Sequence, residues 1–285
     1  MYVLCSPCIL EPQLRAKGIT KPSDLDLFAR VQERCRKFSV EMVPLPCPET
    51  LYLGSGRQPG TFLERLNTPK FSALLNELEG GIKEILEARG PPLCIVGVNS
   101  SPTCGVTHTY FGSEGGKPPK RSGRGVLLSR FPTIRALDVA TFSRYRVYLA
   151  APLFSEAERS YNVMLTTLLR KNLFEVYLPQ EAGDNSDTRE ESAQHDLFQK
   201  NLQELADSDI VVALIDGADA DSGTAWEMGY AFARGNPVVA LRTDFRRVGH
   251  HEHVNLMLEQ SAAVVTSTDQ LLSALHTPLL PGPDA

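Results

Sequence analysis

Residues 210–215 read IVVALI, six apolar side chains in a row that end on Asp216 and Gly217. A strand with one face in water alternates apolar and polar residues. An unbroken apolar run has no wet face, which is how a parallel strand reads when helices cover both sides of its sheet. The chain repeats this arrangement. Apolar runs at 2–10, 40–46, 92–101, 146–154, 174–179 and 237–244 alternate with amphipathic stretches at 22–38, 71–90, 156–172, 195–209 and 269–276. Strands that alternate with helices build parallel α/β sheets. The series stops at SEGGKPPKRSGRG, a segment dense in Gly, Pro and basic residues, passes through 131–144, and restarts. The expected fold class is therefore α/β, with two consecutive doubly wound (Rossmann/flavodoxin-like) parallel-sheet domains over 1–142 and 143–285.

Composition narrows the function classes. A net charge of -5 over 285 residues leaves no broad basic surface for nucleic acid. The apolar runs are too short to span a bilayer, and MYVLCSPCIL lacks the basic start and cleavage pattern of a secretory signal, so a cytoplasmic protein is expected. Six cysteines are too few for a disulfide scaffold in a chain of this length, which points to reduced thiols, a metal site or redox chemistry.

In open α/β sheets ligands bind in the crevice outside the carboxyl ends of the strands. The second half sends Tyr148, Gln180, Asp216, Asp221, Thr243 and Asp244 to that edge. Asp221 opens a helix in DSGTAWEMGYA, and Glu227 follows about one and a half turns later, so both carboxylates can face the crevice. Carboxylates sharing a cleft suit chemistry at the anomeric carbon of a sugar, where one attacks or stabilises positive charge while others orient the substrate. The plainer alternative makes Asp221 and Ser222 a helix cap and Glu227 a complement to the helix dipole.

On VYLAAPLFSEAER and the ungapped run NLQELADSDIVVALIDGADADSGTAWEMGYA, Arg146 to about Ser261 resembles the nucleoside 2-deoxyribosyltransferase family. The resemblance implies that Glu227 is a nucleophile forming a covalent 2-deoxyribosyl intermediate, that Tyr148 places it, and that Asp221 contacts the 5'-hydroxyl of the sugar. It also implies that Gln180 contacts the base, and that Asn255 and Met257 of VNLMLEQ complete a neighbouring subunit's pocket in a homo-oligomer. The partners so implied are small-molecule nucleosides and nucleobases. One departure stands out: Asn201 occupies the position where the family usually has aspartate, and an amide can hydrogen-bond to a base but cannot deliver a proton. Two other readings stay open. One is a 2'-deoxynucleoside 5'-monophosphate N-hydrolase, against which the Asp221 carboxylate would repel a phosphate; the other is a non-catalytic nucleotide or redox sensor.

In the first half, CSPC, LPCPE and SPTCG place Cys8, Cys47 and Cys104 after three expected strands, and so along one sheet edge. Three thiolates gathered there suit an iron-sulfur cluster with one open iron, or, with Cys5, a four-thiolate zinc site. Cys35 and Cys94 read as small buried hydrophobes. Over about residues 2–130 the motifs SPCIL, CPE and SPTCG resemble the 2-thiouracil desulfidase family, although Cys5 is extra and Glu11 and Pro12 follow where that family usually has a glycine. This resemblance implies a 4Fe-4S cluster on Cys8, Cys47 and Cys104 that takes sulfur from a thiolated base, with Glu49 and Ser101 on the substrate side. His108 reads as structural or solvated, and His250, His251 and His253 as a solvated loop.

Overall fold

A computed structural model describes residues 1–112, 120–182, 191–246 and 254–276. The chain divides into two compact units, Met1–Ser143 and Arg144–Ala285. In the first unit β1 (Tyr2–Cys5), α1 (Pro22–Lys37), β2 (Glu41–Pro44), α2 (Pro48–Leu53), α3 (Phe62–Arg65), α4 (Pro69–Arg89) and β3 (Ile95–Gly97) follow in turn. A short antiparallel hairpin, β4 (His108–Tyr110) with β5 (Lys120–Ser122), precedes β6 (Ala136–Asp138) and α5 (Val139–Phe142). The main sheet is parallel in the order β2-β1-β3-β6.

The second unit runs β7 (Arg146–Ala150), α6 (Glu156–Lys171), β8 (Glu175–Tyr177), α7 (Pro179–Ala182), α8 (Glu191–Asp207), β9 (Ile210–Leu214), α9 (Ser222–Ala233), β10 (Val238–Leu241), α10 (Leu256–Ser261), β11 (Ala263–Val265) and α11 (Thr268–Leu275). Its five strands are parallel in the order β11-β10-β9-β7-β8. Both sheets agree with the α/β class expected from the alternating runs. In each, the chain begins inside the sheet, steps one way, then reverses, which is the flavodoxin-like order. The reversal leaves a crevice at the carboxyl ends of β1 and β3 in one unit and of β7 and β9 in the other.

Burial explains the apolar runs. All five residues of β9 and all four of β1 are buried. Leu4, Phe71, Leu75, Ile82, Ile95 and Leu128 form one core, while Tyr148, Val211, Ala213, Met228, Ala231 and Val254 form another. Each fully buried large apolar side chain contributes about 1.5–3 kcal/mol. The strand expected over 2–10 ends at Cys5, because Pro7 has no N–H to give the ladder and instead opens a 3-10 turn at Pro7–Ile9. The passage expected at 131–144 contains the edge strand β6 and the helix α5, and β11 lies beyond the last expected strand. Each of these strands has only three residues, too few to show a period. Among the described residues no helix is long and apolar enough to cross a membrane.

Candidate active site and thiol cavity

In the second unit the crevice at the switch point is built from β7, β8 and α9. Tyr148 is the third residue of β7, fully buried, and its hydroxyl donates to Glu227 Oε1 at 2.5 Å. Glu227 lies in the second turn of α9, where Met228 and Ala231 turn inward to the core and Glu227 is left half-buried at the rim. Burial pushes its carboxyl up to about 7; the Tyr148 hydrogen bond opposes that shift, and the nearby Asp221 charge adds to it. The Tyr148 hydroxyl is itself pushed far up by burial and by Glu227, so it remains a donor. The pair therefore holds a carboxylate that can ionise near neutral pH and is aimed by a fixed proton donor.

The other expected residues divide between the site and the scaffold. Asp221 caps α9, one oxygen accepting Gly223 N at 2.9 Å and Thr224 N at 3.1 Å, so the plainer reading holds for it alongside its electrostatic reach to Glu227. Gln180 is tied to α6: its oxygen accepts from Asn162 Nδ2 at 3.0 Å and its nitrogen donates to the Arg159 carbonyl at 3.1 Å. Asp216 is engaged by the loop after β10, accepting Thr243 N and Thr243 Oγ1 at 2.5 Å each and Asp244 N at 2.9 Å. From the end of β10, buried Arg242 donates to the carbonyls of Ile215 and Gly217. Asn255 caps α10 through Met257 N, leaving the Met257 side chain 76% exposed. Tyr177, which the sequence reading did not single out, stacks on Tyr148 with ring centroids 5.5 Å apart and donates to Asn201 Oδ1 at 2.7 Å.

The second unit can be set beside known proteins. Residues 147–266 match the nucleoside 2-deoxyribosyltransferase family. The match takes in Tyr148, Gln180, Asn201, Asp221, Glu227, Asn255 and Met257. No curated protein matches the chain. Among solved structures, a conserved protein from Enterococcus faecalis V583 is 32% identical, covering 46% of this chain and 97% of its own, with a TM-score of 0.40. A 2-deoxyribosyltransferase from Bacillus psychrosaccharolyticus is 24% identical over 48% of this chain and 98% of its own, TM-score 0.41. A 2-desoxiribosyltransferase from Leishmania mexicana is 22% identical over 47% and 99%, TM-score 0.40.

The first unit, outside the deoxyribosyltransferase match, carries a cavity of about 850 Å³ at the carboxyl edge of its sheet. Cys8, Cys47 and Cys104 all border it, together with Glu49, Ser101 and Asp138. Cys8 sits in the turn after β1, Cys47 immediately precedes α2, whose first residue is Pro48, and Cys104 lies in the loop after β3. Cys47 is within electrostatic reach of the other two. Burial pushes the Cys8 and Cys104 thiols up to about 12, countered in part by Arg15 at Cys8 and by Thr103 at Cys104. Hydroxyls lie against two of the sulfurs: Thr50 Oγ1 is 3.2 Å from Cys47 Sγ, and Thr103 Oγ1, whose proton goes to Glu49, is 3.6 Å from Cys104 Sγ. Cys5 belongs to β1, is fully buried and does not border the cavity.

Glu49 and Ser101 touch each other. Glu49 Oε1 accepts Ser101 Oγ at 3.1 Å and Thr103 Oγ1 at 2.9 Å, while Arg57 grips Oε2 at 3.3 Å. His108 does not border the cavity, but its Nε2 lies 3.2 Å from the hydroxyl of Ser100, which does. Ser100 has φ +69°, a region that a residue with a side chain seldom adopts. His250, His251 and His253 lie outside the described residues. Among the described residues no group of three or more His, Cys, Asp or Glu side chains is gathered closely enough to hold a single metal ion.

Proposed function

We propose that the second unit breaks the N-glycosidic bond of 2'-deoxynucleosides with Glu227 as nucleophile and passes the sugar to a second base. The Tyr148–Glu227 pair carries this reading. Glu227 attacks C1' as the base departs, the sugar is held as an ester, and an incoming base attacks from the vacated face, so two inversions retain configuration. Asp221, close to Glu227, is available to the sugar, and its charge disfavours a 5'-phosphate there. Exposed Met257 beside Asn255 is available to a pocket in another copy of the chain. The test mixes a deoxynucleoside with a foreign free base and follows exchange; an absence of both exchange and base release would remove the proposal.

The same assay has a pH signature. The nucleophile must be ionised, so kcat/KM should climb with pH through about 7, where Glu227 loses its proton, and level off above it. Tyr148→Phe removes a hydrogen bond that favours the ionised form. Its acid limb should therefore move to higher pH, and an unmoved limb would separate Tyr148 from Glu227 ionisation.

For the first unit we propose a 4Fe-4S cluster on Cys8, Cys47 and Cys104, and a reaction on thiolated nucleobases. Its support is the convergence of three thiols on one cavity. The four-thiolate zinc alternative lacks its fourth ligand, because Cys5 is held inside β1. When bound, the cluster would supply an open iron able to accept sulfur. The chain's own part would be to orient the substrate through Glu49, itself fixed by Arg57, Ser101 and Thr103. Protein purified without oxygen should be brown and lose that colour in Cys104→Ser, because thiolate-to-iron charge transfer absorbs visible light and zinc has no counterpart. Colourless anaerobic protein would end this reading.

A further inference from the structure

A side chain that breaks a glycosidic bond must also deal with the departing base, and the groups beside Glu227 limit how. Around the carboxylate the aromatic pair Tyr148 and Tyr177 forms a wall, and Asn201 hangs from it through the Tyr177 hydroxyl at 2.7 Å. That bond occupies Oδ1 of Asn201 and so fixes which way the amide faces. Its Nδ2 donates to no described residue. The Tyr177 hydroxyl is pushed up to about 12 by burial and by the charges of Glu204 and Glu227, so it keeps its proton at neutral pH. Glu204, one helical turn after Asn201, is exposed.

Resting on the glycosidic reading of this unit, we infer that Tyr177 is a positioning residue that aims the Asn201 amide at the departing base, and that the site serves deoxynucleosides whose bases leave without protonation by a side chain. As Glu227 closes on C1', the C1'–N bond breaks and its electron pair stays on the base nitrogen. No side chain passes a proton at that moment. The base leaves as its anion, held by an N–H of Asn201, and takes a proton from water afterwards. The substrate class is accordingly a deoxynucleoside with an acidic base that presents a hydrogen-bond acceptor.

The experiment measures base release by the full-length chain from thymidine, 2'-deoxyuridine and 5-fluoro-2'-deoxyuridine, whose bases are increasingly acidic. In wild type kcat/KM should rise steeply along the series, by roughly tenfold per unit of base acidity, because the barrier then follows leaving-group stability. Asn201→Asp supplies a proton donor and should flatten that dependence. Tyr177→Phe should slow all three substrates while keeping the slope, since the amide is still present but no longer held. A flat series in wild type, a slope unchanged in Asn201→Asp, or a slope that steepens in Glu204→Gln would each overturn the inference and leave the glycosidic reading standing. No release from any of the three would overturn both.

Discussion

Glu227→Gln is expected to lose deoxyribosyl turnover by about 10⁴-fold or more, as when a single essential nucleophile is removed, and yet to unfold at a higher temperature than wild type at pH 8. Both effects have one cause. Burial raises the Glu227 carboxyl to about 7 from an ordinary value of 4.5, so the folded protein holds that proton more tightly than the unfolded chain does. For an acid shifted upward, stability falls as pH rises from about 4.5 to about 7 and stays lowered above that window. The cost is on the order of 2–3 kcal/mol at pH 8. Glutamine carries no charge to desolvate, and its amide oxygen can still accept from the Tyr148 hydroxyl. The melting temperatures of the two proteins should therefore converge near pH 4.5 and separate at pH 8. Turnover that survives the substitution would sink the nucleophile assignment, and curves that coincide at every pH would show that ionised Glu227 is not strained by burial.

Gly125→Ala should destabilise the first unit by about 1–3 kcal/mol or more and displace the loop that carries Cys104. A Cβ there would stand 2.4 Å from the carbonyl carbon and oxygen of Thr103 and 2.7 Å from Cys104 N, all backbone atoms that cannot turn aside. The contact is close because the 125–127 segment is laced to that loop. Gly125 N donates to Gly105 O at 2.8 Å, Val126 N to Pro102 O at 3.0 Å and Leu127 N to Thr103 O at 3.1 Å. Gly80, inside α4, provides the contrast: a Cβ there meets nothing within 4 Å. Gly80→Ala should therefore gain about 0.5–1 kcal/mol from helix propensity alone. Urea unfolding of both variants checks the pair. Equal midpoints would mean that the Cys104 loop yields without cost.

The sequence made the long, doubly buried strands legible because they have no polar face to hide them. Tyr148 and Glu227 could be placed on one crevice from topology alone, since one lies in a strand at the switch point and the other follows the neighbouring strand. Three-residue edge strands such as β6 and β11 carry no period, and only pairing with their neighbours defines them. Side chains that work by holding other side chains were equally hidden. Nothing in the spacing of Arg57 or Thr103 announces that both close on Glu49, and the stacking and hydroxyl bond of Tyr177 are tertiary contacts with no mark in its own strand. Thr50 had a visible signal, three residues after Cys47 at the start of a helix, where its hydroxyl can reach back to the sulfur. Gln180 and Asp216 show the converse, being polar residues at a ligand-binding edge whose side chains are tied to neighbouring segments.

The cross-tie at Asp216 bears on how the crevice opens. Its carboxylate is bonded to Thr243 and Asp244, and Arg242 reaches back to the carbonyls on either side of Asp216. The two segments beyond β9 and β10 thus constrain each other from both directions, and neither can swing outward without breaking bonds that belong to the other. Kinetically they form one gatepost rather than two gates, because opening of one segment is tied to opening of the other.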